Sequence, residues 1–326
     1  MAGKFKIAFL GSDAIALPLL DWIAGEGRGA LEIAAVFTQP DRPAGRGQRV
    51  RPNAIKAWAT ERGIPVHQPE KLSESERGIL ANAAADLALV MAYGHILSEA
   101  FIATPRLGSL NFHASVLPRY RGASPIQTAV ACGETATGVS LMRVVRRLDA
   151  GPVADVERVP IGPLDTAGDI ETKLAQACVP LLARTLPLLA QGVLSFLSQD
   201  DAQATYCRRL EKKDGLLNFG ASAAALAARI NGLFPWPGCT TEMDGQTIRL
   251  GLADALPQSS AAEPGTVVGR DPEGLLVAAG EGTLRLRRLQ RAGGRMLPTA
   301  EFLSGFSMGD GTRLPSQPMT ELLLAR

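Results

Sequence analysis

Residues 87–92 read Leu-Ala-Leu-Val-Met-Ala, with no polar interruption. So short and so uniformly apolar a run fits a strand buried on both faces, the environment of a parallel sheet covered by helices on either side. The surrounding chain repeats the theme. Strand-like runs occur at 6–10, 31–38, around Val66, and at 107–112, 138–144 and 153–159. Helical stretches fall near 17–24, 53–62 (closed by Gly63) and 75–84. This alternation predicts an α/β fold with a doubly wound, mostly parallel, Rossmann-like sheet. Ligands of such sheets bind beyond the carboxyl ends of the strands. The loop after the first strand, Gly11-Ser12-Asp13-Ala14-Ile15-Ala16, is not G-x-G-x-x-G, which argues against a nicotinamide cofactor.

A long Ala/Leu-rich helix at 166–191 is followed by a change of texture. Residues 195–201 are polar and loop-like and read as a linker. Residues 221–231 have the spacing of one amphipathic helix. Beyond Trp236-Pro237 come short strands punctuated by Asp244-Gly245, Pro264-Gly265, Glu273-Gly274, Glu281-Gly282 and Gly293-Gly294, the pattern of a small β-barrel. The expected organisation is an α/β domain over 1–192, a linker over 193–211 and a small all-β domain over 212–326.

At 326 residues the chain can bury two cores. Its formal net charge is only +2, so any case for nucleic acid must rest on local clusters. Cys132, Cys178, Cys207 and Cys239 are scattered, with no CxxC and no clustered histidine. That argues against a zinc site or a disulfide framework and fits a reducing compartment. A strand-like run begins within a few residues of Met1, which leaves no room for a targeting peptide, and no apolar run could span a bilayer. A cytoplasmic chain with no membrane partner and no metal is expected.

The chemistry concentrates at 109–122, Ser-Leu-Asn-Phe-His-Ala-Ser-Val-Leu-Pro-Arg-Tyr-Arg-Gly. Residues two apart on a strand point to the same side, so Asn111 and His113 present an amide and an imidazole together. The first can polarise a carbonyl and the second can move a proton. Downstream, Leu148-Asp149-Ala150-Gly151 ends another strand-like run and supplies a carboxylate.

Asn111-x-His113 with Ser115-x-Leu117-Pro118 and Arg121-Gly122, then Leu148-Asp149-x-Gly151, resembles the 10-formyltetrahydrofolate-dependent formyltransferases. Residues 38–47, Thr-Gln-Pro-Asp-Arg-Pro-Ala-Gly-Arg-Gly, are similar to the signature of the branch that formylates methionyl-tRNA. Thr205-Tyr206-Cys207 and Phe234-Pro235-Trp236-Pro237 carry the resemblance into the C-terminal third. It implies catalytic roles for Asn111, His113 and Asp149, an OB-like C-terminal domain, and 10-formyltetrahydrofolate as formyl donor. The run 90–97 resembles the family's folate-side segment. The implied donor contacts are Met91, Ala92, Tyr93, Gly94 and Ile96, with Ser115, Leu117 and Pro118 from the motif loop. His95 reads as a surface residue and His67 as structural. The chain departs from the family where Val145 and Arg147 replace its usual acid and glycine, and where Ser12-Asp13-Ala14 and Ile15 follow Gly11.

Two basic clusters stand out: Arg42, Arg46, Arg49, Arg51 and Lys56 in an irregular, Gly/Pro-rich loop, and Arg285, Arg287, Arg288, Arg291 and Arg295 on and after a C-terminal strand. Both suit phosphate contacts and single-stranded acceptor ends. Beside formyltransferase motifs they favour tRNA, with Arg42, Arg46, Arg49, Arg51, Arg285 and Arg287 as contacts. The expected activity is formylation of charged initiator tRNA by a monomer. The rivals are an amino-sugar nucleotide formyltransferase, a formyltetrahydrofolate hydrolase and a non-catalytic RNA-binding protein.

Overall fold

The computed structural model describes residues 4–44, 49–243, 245–306 and 308–324. Two compact units are distinguished. The first comprises Met1–Arg121, Gly138–Val159 and Thr172–Ala204, and the second Gly122–Thr137, Pro160–Glu171 and Thr205–Arg326.

In chain order the strands of the first half are β1 (Phe5–Gly11), β2 (Leu31–Phe37), β3 (Arg42–Ala44), β4 (Arg49–Arg51), β5 (Val66–His67), β6 (Leu87–Met91), β7 (Ser109–His113), β8 (Arg121–Gly122), β9 (Ala136–Arg143) and β10 (Val153–Pro160). Between them run α1 (Leu17–Ala24), α2 (Ala54–Glu61), α3 (Glu74–Asn82), α4 (Glu99–Ile102) and α5 (Pro125–Ala131), and after β10 comes α6 (Ala167–Ala190). Seven strands form one sheet in the order β10-β9-β7-β6-β1-β2-β5. Pairing is parallel from β7 to β5, and β9 runs antiparallel to β7.

Both faces of the central strands are buried, as the apolar run at 87–92 requires. Ala8, Leu10, Ala35, Phe37, Ala88 and Val90 pack on one side, while Ile7, Phe9, Val36, Leu87 and Leu89 are buried by alternation on the other. Each fully buried leucine or phenylalanine contributes about 1.5–3 kcal/mol. Helix starts follow from side-chain chemistry. Asn53 caps α2 by accepting from Lys56 N, and Ser73 and Glu76 form a reciprocal capping box at α3. One expectation changes. The basic loop is not irregular throughout, because β3 and β4 pair antiparallel, Arg42 opposite Arg51 and Ala44 opposite Arg49. Three-residue strands rich in arginine and proline carry no alternation that a sequence reading could detect.

The second unit contains β11 (Tyr206–Cys207), α7 (Ala223–Gly232), β12 (Cys239–Met243), β13 (Gln246–Leu256), β14 (Val267–Asp271), β15 (Gly274–Ala278), β16 (Thr283–Arg291), β17 (Leu297–Pro298) and α8 (Thr299–Ser304). Six strands form an antiparallel sheet, ordered β12-β13-β16-β15-β14 with β17 on β16. Register shifts within β13 and β14 bend it. Helix α7 lays Ala223, Leu226, Ala227 and Ile230, the expected i, i+3, i+4, i+7 stripe, into its core. Gly232 lets α7 approach α5, since a Cβ there would overlap the backbone of Ala131.

An ion pair knots this unit's entry to its C-terminal segment. The fully buried Asp214 accepts from Arg208 (Nη1 2.9 Å, Nη2 2.5 Å), Thr320 Oγ1 (2.5 Å) and Glu211 N (2.6 Å). Burial alone would raise this carboxyl's pKa, but the donors overcome that and hold it at about 2. A folded pKa below the unfolded value gives stability that is present above about pH 4 and is lost as pH falls towards 2, in the amount of about 2 kcal/mol. Asp214→Ala should therefore destabilise the unit by about 3 kcal/mol at pH 7, with the gap to the parent closing by about 2 kcal/mol between pH 5 and pH 2. Urea unfolding at both pH values tests this, and a gap independent of pH would contradict it.

Candidate active site

Strand β7 ends in the first unit with Asn111 and His113 on one face. Asn111 is half-buried, and among the described residues its amide makes no side-chain hydrogen bond. His113 is 6% exposed. Its Nε2 lies 2.9 Å from the carbonyl of Tyr120, and its Nδ1 lies 3.6 Å from Asp149 Oδ1. Both neighbours are acceptors. A neutral ring, with one N–H, can satisfy only one of them, whereas an imidazolium can donate to both. The carboxylate stands just beyond hydrogen-bond reach, a spacing that typically tightens when substrate binds.

Backbone strain collects at the same place. Ala84, Ala92, Tyr120 and Asp149 have positive φ, and the last two flank His113. Each such residue costs about 1–3 kcal/mol, so the surrounding structure must enforce it. Part of the enforcement is Gly151, where a Cβ would overlap the carbonyl oxygen of Arg143. The segment read as a linker supplies more. Gln199 Nε2 donates to the carbonyls of Asp149 (2.9 Å) and Gly151 (2.7 Å), and Leu197 pairs with Val153. Neither Gln199 nor the fully buried Arg121 that holds it was given a role from sequence, although a buried arginine always demands acceptors.

The residues expected on the donor side divide. Met91 is core, 3% exposed, its Sδ 4.0 Å from Cys178 Sγ. The hydroxyl of Ser115 is spent on the carbonyl of Arg119 (2.6 Å), and Ser140 clamps the loop by donating to Ser115 O and accepting from Leu117 N. Leu117 is buried and Pro118 half-buried. Tyr93 is 3% exposed and burial pushes its phenol pKa up, so these positions can reach a ligand chiefly through backbone. Ala92 and Gly94, both with positive φ, are exposed there. Ile96 is 93% exposed, and Leu148 (62%) and Val145 (38%) are likewise bare beside the motif carboxylate. His95 differs from the surface residue expected: its Nε2 is buried without a partner, and its ring lies edge-on to Tyr93 at 5.0 Å. His67 packs on Phe37 at 5.1 Å, and burial lowers its pKa.

Beneath the basic hairpin a polar network fixes its entry. The Gln39 N–H donates to Ser12 Oγ (2.9 Å), and its Nε2 donates to Tyr93 O (3.1 Å). Asp41 binds Lys56 (2.5 Å) and Gln68 (2.7 Å), which hold its carboxyl below the usual range. Lys56 is thus committed to Asp41. Arg42 and Arg51 are exposed, Arg49 is placed by its backbone in β4, and Arg46 lies outside the described residues. The second cluster is different from what its sequence suggests. Arg285 bonds Asp254 and Asp271, and Arg287 bonds Asp254 and Glu273. Both guanidinium groups are largely buried, so their charge is neutralised within the sheet. Arg288 and Arg295 remain exposed. No cluster of metal-ligating side chains occurs among the described residues, and none of their helices is long and apolar enough to cross a membrane.

An amide and an imidazole on one strand end, a carboxylate behind the imidazole and a loop with bare apolar residues form a site suited to acyl transfer. The fold matches an N-formyltransferase from Helicobacter canadensis, solved with folinic acid and dTDP-3-aminofucose, with a TM-score of 0.64 at 15% identity over 88% of this chain and 99% of that one. In sequence, a methionyl-tRNA formyltransferase of Ectopseudomonas mendocina is 42% identical over 91% of this chain and 93% of its own length. One from Geobacter sulfurreducens is 39% identical over 96% and 98%. The model of the formyl transferase domain covers residues 5–186 and that of the formyl transferase C-terminal domain residues 209–307, and with both domains present the chain belongs to the formyl transferase family.

Proposed function

We propose that the chain transfers the formyl group of 10-formyltetrahydrofolate to the amino group of methionyl-initiator-tRNA, for translation initiation. The observation that carries this reading is the constellation of Asn111, His113 and Asp149 at the end of β7. The methionyl amine, once deprotonated, bonds to the formyl carbon, and the carbonyl electron pair moves onto oxygen. The amide N–H of Asn111 meets that oxyanion, a contact worth about 3 kcal/mol in comparable sites. His113 Nε2, 2.9 Å from the Tyr120 carbonyl in the free protein, exchanges that contact for one to the same oxygen and passes protons. Asp149, 3.6 Å behind it, supports the imidazolium, and either directly or through water takes the proton the amine gives up. On collapse the bond from the formyl carbon to the folate nitrogen breaks, and that nitrogen leaves with a proton.

For the donor, the exposed backbone at Ala92 and Gly94 offers hydrogen-bonding groups, and a pterin ring would cover the bare Ile96, Val145 and Leu148. For the acceptor, Arg42 stands directly opposite Arg51 in an antiparallel pair. Like charges so placed destabilise a hairpin, and a phosphate between them relieves the repulsion. The tRNA contacts assigned are therefore Arg42, Arg49 and Arg51, with the exposed Arg288 and Arg295 in place of Arg285 and Arg287. In this reading residues 1–192 carry the chemistry, 212–326 add tRNA affinity, 193–211 join them, and the enzyme acts as a cytoplasmic monomer.

Formyl transfer assayed on charged initiator tRNA, charged elongator tRNA and an amino-sugar nucleotide tests the proposal. Turnover on initiator tRNA is expected, and turnover confined to the amino sugar overturns it. Arg42→Ala should lower kcat/KM for charged tRNA by about tenfold and make the salt dependence of tRNA binding shallower by about one unit of slope, with donor affinity unchanged. Arg285→Ala should leave the salt slope alone and lower stability instead, because it takes one charged donor from each of the carboxylates of Asp254 and Asp271. Parallel salt titrations and melts of the two variants separate these outcomes.

A further inference from the structure

We propose that Gln199 is a positioning residue for the reaction, holding the carboxylate of Asp149 against His113 without touching substrate itself. This rests on the formyl-transfer reading of the site.

The geometry leaves the Gln199 side chain one orientation. Its Oε1 accepts from Arg121 Nε (3.0 Å) and Nη2 (2.7 Å). An arginine only donates, so the opposite edge of the amide must be the NH2 group. That group faces the carbonyls of Asp149 (2.9 Å) and Gly151 (2.7 Å). The two carbonyls bracket Ala150, so the bonds clamp the turn in which Asp149 takes its positive φ of 48°. An unclamped aspartate would relax towards negative φ and swing its carboxylate away.

The clamp is itself anchored. Arg121 is fully buried, and its Nη1 reaches Asp201 Oδ1 (2.9 Å). Asp201 Oδ2 takes Arg147 Nη1 (2.5 Å), and hydrogen bonds from Arg147 and Arg121 hold its carboxyl below the ordinary range. Backbone bonds of 2.8 Å in both directions between Val153 and Leu197 pin the strand of chain that carries Gln199. Arg121 also directly follows Tyr120, the residue with a φ of 58° whose carbonyl faces His113 Nε2. One pair, the buried Arg121 with the half-buried Gln199, thus braces both groups that flank the imidazole. Arg147, where the family usually has glycine, is absorbed by the same carboxylate.

Gln199→Glu is the informative change. A carboxylate keeps both bonds from Arg121 but turns an acceptor towards two carbonyls. Gln199→Met, of similar length and with no donors, is the second variant should the added charge prevent folding. Either should lower kcat by about tenfold or more with the donor KM within about twofold, and should alter the pH profile of kcat. In an Asp149→Asn background the same change should add less than about twofold, because its effect runs through Asp149. The imidazole 15N spectrum of His113 should change with either substitution in the free protein, a readout independent of which acceptor is formylated. Parent-like kcat and an unchanged His113 spectrum in both variants would overturn the proposal. So would a loss that multiplies fully with that of Asp149→Asn. If the parent fails to formylate charged tRNA while the His113 spectrum responds, the acceptor assignment falls and the positioning role stands.

Discussion

Replacing His113 by alanine should lower formyl transfer by at least about 100-fold, because removal of one oxyanion donor costs about 10²–10³ and loss of general acid–base catalysis about 10²–10⁴. The two losses do not simply multiply, since one ring supplies both. The imidazole is nearly buried between the Tyr120 carbonyl and the Asp149 carboxylate. Its removal strands an acceptor on each side, and water entering the cavity satisfies them without reproducing a proton carrier at that position. Donor affinity should stay within about threefold, because the pterin contacts proposed, Ala92, Gly94, Ile96, Val145 and Leu148, lie on other segments than β7. The decisive comparison is single-turnover formyl transfer beside donor binding by titration. Turnover close to that of the parent would remove His113 from the chemistry and leave Asn111 as the polar side chain near the end of β7 to account for it.

The fold was legible where burial imposes a period. Strand β6 is apolar at every position because both its faces are covered, and the stripe of α7 repeats because one face is. The hairpin of β3 and β4 was not legible, since Arg42, Pro43, Val50 and Arg51 are exposed and the chain that flanks it is held by Ser12, Gln39, Asp41 and Asn53. The C-terminal arginines misled for a related reason. Arg285 and Arg287 are consecutive outward positions, yet their partner Asp254 lies 31 and 33 residues away and becomes a neighbour only when β13 pairs with β16. A run of like charges on a strand says nothing about the strand beside it.

The site divides in the same manner. Asn111 and His113 could be placed together because they are two apart on one strand. The approach of Asp149 to the ring, and everything that enforces it, is tertiary. Gln199 reaches Asp149 across 50 residues and Arg121 across 78. Polar composition made residues 195–201 look like a linker, because the amides that fasten such a segment are the same residues that make it look solvated. A buried arginine was the available clue, and it required knowing that Arg121 was buried.

Asp149→Asn should keep the fold and lose most of the activity, by about 10²–10⁴ in kcat if the carboxylate supports the ring as in other histidine–aspartate pairs. Asparagine tolerates the left-handed backbone that position 149 requires. The clamp from Gln199 binds the main-chain carbonyl and is untouched by the substitution. Stability should therefore change little, and the loss can be read as electrostatic. The amide carries no charge to balance an imidazolium. With its NH2 turned towards Nδ1 it would also favour a neutral ring protonated on Nε2 alone. The pH profile of kcat should lose or shift the limb that reports the carboxylate, while the donor KM stays within about threefold. Profiles of parent and variant measured between pH 5 and 9 on charged tRNA settle the point. An unchanged profile with full turnover would transfer the role to another carboxylate. The nearest alternative in sequence, Asp155, is already engaged by Arg184 at 2.6 Å, which holds it ionised and away from proton transfer.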